Sequence, residues 1–178
     1  MLASVWLQLQ EPQHGIVREL IASLAAEHAT VPFQPHLTVC GGADLDPARW
    51  DAAAEYVRRS APLPLSVKQI GISTSPEVSF RAVIIDVENT PEMRAFRDEI
   101  ARICGAAIIA QPHISLLYTI DERGQRVNWA ADAAKLSAIA ADATERLAAT
   151  EFVLDDPVVV APERQWANIR SWKVVKSL

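Results

Sequence analysis

The chain has few cysteines, no excess of basic residues and no long apolar run. Cys40 and Cys104 are its only cysteines, too few for a disulfide framework, so we expect an intracellular protein with two structural thiols. The net charge of −5 argues against broad binding to a polyphosphate backbone but leaves room for a small nucleotide. No apolar stretch reaches the length of a membrane span, and the first residues lack the basic region of a signal peptide. We therefore expect a soluble, cytoplasmic protein that makes no contact with a membrane.

The order of strand and helix patterns predicts the fold class. Alternation with period two predicts strands at about 2–10, 34–41, 65–73, 80–87, 111–118, 151–160 and 166–175. Helical spacing predicts helices at about 16–28, 47–60, 91–100 and 129–149. Thr90 is expected to cap the third helix, and Asp44 or Asp46 the second. With 50% hydrophobic and 22% charged residues, the chain can bury the core of one medium domain. We expect an α+β fold, a single bilobal domain over residues 1–178, with two antiparallel β-sheets, outer helices and a cleft between the lobes.

Histidine is scarce, and two of the four histidines lie in a repeated motif. Residues 34–39 read Gln-Pro-His-Leu-Thr-Val, and residues 111–116 read Gln-Pro-His-Ile-Ser-Leu. Proline suits the first position of a strand, where no ladder hydrogen bond is lost. The alternation that follows places the histidine and the hydroxyl residue of each motif on one face and the apolar residues on the other. Cys40 lies two residues past the first hydroxyl and could share its face. The repeat predicts one site built from two related halves.

Two histidines that face one cleft can act as general base and general acid near neutral pH. In-line displacement at phosphorus needs such a pair: one of His36 and His113 removes a proton from the attacking oxygen, and the other protonates the leaving oxygen. Thr38 and Ser115 lie roughly 7 Å from their histidines by strand spacing. Their hydroxyls can donate to the phosphate oxygens on which charge grows in the transition state. This chemistry requires no metal ion.

The doubled motif resembles the 2H phosphoesterase superfamily, the 2'-5' RNA ligase-like proteins, and is most similar to its plant-type cyclic phosphodiesterase branch. Ser4-Val5-Trp6 is similar to that branch's opening strand. The second motif also resembles the branch in its trailing Tyr118. Phe80, ahead of a hydrophobic strand, falls where the branch has an aromatic residue.

The resemblance implies a bilobal fold with pseudo-twofold symmetry, catalysis by His36, His113, Thr38 and Ser115, and no cofactor or metal. It implies opening of a cyclic phosphate on a ribose: nucleoside 2',3'-cyclic phosphate to the 2'-phosphate, or ADP-ribose 1'',2''-cyclic phosphate. By the same resemblance, the aromatic residues Trp6, Phe80 and Tyr118 bind substrate in the cleft. The expected partner is a small nucleotide cyclic phosphate, and we expect a monomer.

Two other functions remain open from the sequence. One is a related enzyme that processes RNA ends, ligase-like or exonuclease-like, although the acidic charge weighs against it. The other is a binding module that uses the two histidines to hold a nucleotide or a metal, although two histidines and two hydroxyls are a poor zinc ligand set. Thr38 and Ser115 could instead be cross-strand pairs, and the aromatic residues could simply pack. The candidate phosphate neighbours are the basic residues Lys68, Arg81, Arg170 and Lys173.

Overall fold

The computed structural model describes residues 2–44, 46–60, 62–74, 81–108, 111–148, 152–161 and 173–177. The predicted substrate-binding residue Phe80 lies outside these ranges, and so does Arg170. The predicted last strand, 166–175, is described only from Lys173 onward.

Four helices form within the described ranges: α1 Gln13–His28, α2 Pro47–Ser60, α3 Pro91–Cys104 and α4 Ala133–Leu147. The predicted cap of α3 is confirmed, because the Thr90 side chain accepts a hydrogen bond from the Met93 backbone N–H at 3.2 Å. At the start of α2, the Asp46 side chain accepts a hydrogen bond from the Ala48 backbone N–H at 3.0 Å, while the side chain of Asp44 lies outside the described set. None of the described helices is long and apolar enough to cross a bilayer.

The same ranges contain nine strands: β1 Leu2–Leu9, β2 Leu37–Asp44, β3 Leu63–Pro64, β4 Val67–Ile72, β5 Arg81–Val87, β6 Ala107–Ile108, β7 His113–Tyr118, β8 Val153–Ala161 and β9 Lys173–Ser177. The two motif strands, β2 and β7, are neighbours near the centre of the order β3-β8-β1-β2-β7-β5-β4, in which β6 pairs with β2 and β9 with β8. All the pairings between them are antiparallel.

The number of sheets corrects the sequence prediction. We expected two sheets, but the strands form one, because β2 pairs with β7 through Leu37 and Ile114. Each motif strand is covered on one side by its own neighbour, β1 or β5, which leaves its other edge with backbone groups to satisfy. The two strands pair with each other at Leu37 and Ile114, and β6 pairs with β2 further along, at Cys40 and Gly41. Alternation in a sequence identifies strands but does not show which edges meet.

One apolar face of the sheet is covered by the helices. α3 contacts β2, α1 contacts β7, and α4 contacts β4 and β5, while α2 packs on α3. Leu37 and Ile114, which join the motif strands, are fully buried in a core that contains side chains of all four helices. The helices thus cover the apolar face of the motif strands, and the histidines and hydroxyls project from the opposite face.

The first motif strand contains a bulge directly after its hydroxyl residue. Trp6 of β1 lies opposite Thr38, but its neighbour Val5 lies opposite Cys40. Val39 is therefore an extra residue in β2. The bulge reverses the alternation, so Cys40 shares the buried face of Val5 rather than the face of Thr38. This corrects the suggestion that Cys40 could share the face of Thr38.

The second motif strand contains a bulge at the equivalent position. Ile84 of β5 lies opposite Ser115, but its neighbour Val83 lies opposite Leu117. Leu116 is the extra residue here, directly after the hydroxyl, as Val39 is in β2. Leu117 consequently turns to the core and is 1% exposed.

Candidate active site

The two His-x-Thr/Ser units meet across the β2–β7 junction. Leu37 and Ile114 lie directly opposite each other, with their side chains in the core. Continuing this antiparallel register by one residue on either side sets His36 against Ser115 and Thr38 against His113, on the opposite face. The two histidines are then diagonal neighbours, roughly 7–8 Å apart by standard sheet geometry. That spacing leaves room for one phosphoryl group between them.

His36 is held by a backbone carbonyl and an aromatic ring. Its Nδ1 lies 2.7 Å from the Gln34 carbonyl oxygen. A carbonyl can only accept, so Nδ1 carries the hydrogen and donates it. The imidazole also stacks on Trp6, with ring centroids 3.5 Å apart and planes inclined by 8°. Both rings are 6% exposed. Trp6, predicted to line the cleft, therefore supports the face of the histidine.

His113 makes the same contact with a backbone carbonyl, but different side chains surround its ring. Its Nδ1 lies 2.8 Å from the Gln111 carbonyl oxygen, two residues earlier, as in the first motif. The residue that corresponds to Trp6 in this half is Ile84, which lies opposite Ser115 as Trp6 lies opposite Thr38. His113 is half-buried and Ser115 is buried. The two histidines thus make the same Nδ1 contact with a carbonyl, but Trp6 stacks on the ring of His36 whereas the equivalent position beside His113 holds Ile84.

Tyr118 projects from the same face as Ser115 because of the β7 bulge. Leu117 faces the core, so the next side chain returns to the face of Ser115. The Tyr118 ring is 4% exposed and stacks on Phe33, with centroids 4.1 Å apart. Phe33 is half-buried and lies three residues before His36. Phe33 is therefore the more exposed residue of the pair.

Sequence reasoning missed Phe33 and Asp86. Phe33 follows Pro32 in the extended segment that leads into the first motif, and an aromatic residue at that position was the available signal. Asp86 lies opposite His113 in the pairing of β5 with β7. This proximity follows from the strand register, which the sequence does not show.

Of the basic residues predicted to lie near the phosphate, only Lys68 has its side chain within the described set. Lys68 lies on β4 and places Nζ 3.7 Å from Asp86 Oδ2. Arg81 pairs with Tyr118 through its backbone, and Lys173 begins β9, but their side chains lie outside the described set. No three His, Cys, Asp or Glu side chains cluster as a metal site within the part of the chain that the structure describes.

The two thiols lie in the core, on the opposite face of the motif strand from Thr38. Cys40 and Cys104 are both unbridged and buried. A hydrogen bond with Cys104, together with burial, raises the pKa of the Cys40 thiol. Cys40 therefore stays protonated at neutral pH and is no nucleophile. Its place against α3 agrees with a structural thiol.

A solved structure supports the fold. No protein-family model matches the chain, and no curated protein matches it in sequence. A solved structure described as "Crystal structure of phosphoesterase" is similar to this chain, with a TM-score of 0.50 and 16% sequence identity. The match covers 99% of this chain and 97% of that one. The chain thus shares its mixed α/β fold over nearly its whole length with a structure of a phosphoesterase.

Proposed function

We propose that this protein is a 2H-type phosphoesterase that opens ribose cyclic phosphates without a metal ion. The observation that carries the proposal is the equivalence of the two motif strands. Each has a proline, then a histidine whose Nδ1 contacts the carbonyl two residues earlier, then a hydroxyl followed directly by a bulge. We infer a pseudo-twofold axis between β2 and β7, with the phosphoryl group bound on it. The similar phosphoesterase structure supports hydrolysis at phosphorus.

The mechanism follows from the tautomer that the carbonyls select. With Nδ1 donating to a carbonyl, each imidazole exchanges its working proton through Nε2. One histidine accepts a proton from water as the new oxygen–phosphorus bond forms. The other donates its Nε2 proton to the ribose oxygen as that oxygen–phosphorus bond breaks. The product is a phosphate monoester, and the two histidines regain their starting protonation by exchange with solvent.

The hydroxyl residues are proposed to stabilise the negative charge that develops on the phosphate oxygens. Thr38 and Ser115 lie on the same face as the histidines and directly across the strand junction from them. In this proposal both donate to the non-bridging oxygens, which carry the growing negative charge in the transition state. Because Ser115 is buried, bulk water would screen the hydrogen bond from its hydroxyl only weakly.

The proposed substrate is a nucleoside 2',3'-cyclic phosphate opened to the 2'-phosphate, or ADP-ribose 1'',2''-cyclic phosphate. The stacked pair Phe33 and Tyr118 supports a planar base in the cleft, since every nucleobase has a face that stacks on an aromatic ring. Phe80 remains a proposed contact from the family resemblance. A cytoplasmic location is also part of the proposal and rests on composition.

A panel of cyclic phosphates tests the proposal. Purified protein in excess chelator is incubated with each 2',3'-cyclic mononucleotide, with ADP-ribose 1'',2''-cyclic phosphate and with oligonucleotides that end in a cyclic phosphate. We expect turnover of a mononucleotide-sized substrate, and loss of it in both His36→Ala and His113→Ala. Preference for oligonucleotides would favour RNA end processing. Turnover of none of these substrates would refute the proposed function.

A further inference from the structure

The two halves of the cleft differ at the residue opposite each histidine. Asp86 lies directly opposite His113 across β5 and β7. In the first half, Leu7 lies opposite Leu37, so the same register assigns the equivalent position to Gln8. Directly opposite residues of an antiparallel pair project from the same face. The carboxylate of Asp86 therefore projects on the face of His113, where the equivalent position of the first half holds an amide, and the Asp86 side chain is 13% exposed.

Gln111 connects this carboxylate to the imidazole. Its side-chain Nε2 donates to Asp86 Oδ1 at 2.7 Å and to the Val87 carbonyl at 3.1 Å. Its backbone carbonyl accepts from His113 Nδ1 at 2.8 Å. The next residue is held as well, because the Val87 backbone N–H donates to the Pro112 carbonyl at 3.1 Å. The carbonyl that orients His113 thus belongs to a residue whose side chain is anchored by Asp86.

We propose that Asp86 is a positioning residue for His113 and acts through Gln111. The inference rests on the proposed function for its catalytic meaning, and on the contacts above for its structure. His36 needs no such anchor, because Trp6 stacks on its ring. The equivalent of Trp6 in the second half is Ile84, which cannot stack in this way. Asp86 and Gln111 replace that support.

The role is one of orientation more than of charge. Lys68 Nζ lies 3.7 Å from Asp86 Oδ2 and is 61% exposed, so the carboxylate's charge is partly offset by a neighbouring ammonium. Asp86→Asn keeps an oxygen that can accept from Gln111 but removes the charge. Asp86→Ala removes both. Comparing the two variants separates orientation from charge.

Imidazole NMR tests the inference without any need for activity. The tautomers of His36 and His113 are read from their ring ¹⁵N shifts at alkaline pH, in wild type and in Asp86→Ala, Asp86→Asn and Gln111→Ala. We expect both rings to be Nδ1–H tautomers in wild type, and a shift toward mixed tautomers at His113 alone in Asp86→Ala and Gln111→Ala. Asp86→Asn should stay close to wild type. An unchanged His113 in both alanine variants would overturn the proposal, and the Gln111 variant serves if Asp86→Ala fails to fold.

Steady-state kinetics provide a second test of the role of Asp86. Asp86→Ala should lower kcat by about 10- to 100-fold, because a small misplacement of a reacting group costs about that much, while KM changes by less than about threefold. The double variant Asp86→Ala/Gln111→Ala should be no worse than either single one, since the two residues act as one unit. The control is Glu88→Ala, which removes an exposed carboxylate two residues along and should leave kcat unchanged.

The two failures are distinguishable. Additive effects of the Asp86 and Gln111 variants would overturn the inference and leave the proposed function intact. A wild-type protein that opens no cyclic phosphate would refute the proposed function, and the NMR result would still decide whether Asp86 positions His113.

Discussion

Trp6 and His36 lie face to face, with ring centroids 3.5 Å apart and an 8° angle between their planes. The pairing of their strands explains the contact. Trp6 lies opposite Thr38, and His36 projects from the same face of the strand as Thr38. Replacing it should loosen the imidazole without removing any polar group from the site.

We expect Trp6→Leu to lower kcat/KM for a cyclic phosphate by about 2- to 10-fold, the range of an aromatic pair worth about 0.5–1.5 kcal/mol. Trp6→Phe should be milder because it keeps a flat ring. Trp129→Leu, at a half-buried tryptophan that contacts His28, is the control for general destabilisation. Steady-state kinetics with thermal melts decide the matter: a loss of stability in Trp6→Leu with unchanged kinetics would assign Trp6 to packing alone.

The hydroxyls provide a second test. Thr38→Ala or Ser115→Ala removes one donor to the phosphate, which should cost about 10²–10³ in kcat by analogy with other oxyanion donors. Thr38→Ser keeps the oxygen and should be far less damaging. Thr38→Val keeps the shape and should resemble Thr38→Ala. If Thr38→Ser were as damaging as Thr38→Ala, the residue would serve packing and not catalysis.

Phe33 should affect substrates that carry a base and no others. Stacking on an aromatic side chain is worth about 1–3 kcal/mol per base, so Phe33→Ala should raise KM for a nucleoside 2',3'-cyclic phosphate by roughly 5- to 100-fold. Ribose 2',3'-cyclic phosphate, which has no base, should be turned over as by wild type. Tyr56→Ala is the control, because Tyr56 is also half-buried and packs on an aromatic ring, that of Phe96, in the helical layer. Equal losses on both substrates would contradict a base-stacking role.

The Cys40 thiol should link stability to alkaline pH. Its pKa is raised in the folded protein by the hydrogen bond with Cys104 and by burial, whereas an unfolded cysteine ionises near about 8.5. The stabilisation is therefore complete below about pH 8.5 and is lost as the pH rises above it, because only the unfolded chain then releases the proton.

The same hydrogen bond lowers the pKa of Cys104, so the effect is measured without Cys104, by urea unfolding of Cys104→Ala and of Cys40→Ala/Cys104→Ala between neutral and alkaline pH. Burial still raises the pKa of Cys40 in Cys104→Ala, so its free energy of unfolding should fall more steeply above about pH 8.5 than that of the double variant. Parallel curves would show that the thiol ionises equally well in the folded state.

The sequence predicted the strands that carry the site, because the alternation after each proline is local and strong. The cap of α3 at Thr90 was predictable for the same reason. The pairing of Leu37 with Ile114 could not be predicted, because it joins residues far apart in the chain and depends on which strand edges remain unpaired in the folded protein. Two sheets were expected where one forms.

The bulges were the main feature that the pattern concealed. An extra residue in a strand reverses the alternation after it, so Cys40 projects into the core and not from the face of Thr38. In the second motif the same reversal places Tyr118 on the face of Ser115. Phe33 and Asp86 escaped prediction because their place beside the site depends on tertiary contacts and register.

The proposed function requires His36 and His113 to act as one acid–base pair. One imidazole must be neutral and its partner protonated, so both are correct only between the two apparent pKa values of the pair. The most direct test is kcat/KM for a 2',3'-cyclic nucleotide from acid to alkaline pH, with chelator present throughout. We expect a bell-shaped profile, of which His36→Ala and His113→Ala each lose one limb. A monotonic rise with pH, or activity restored only by a divalent metal, would contradict it.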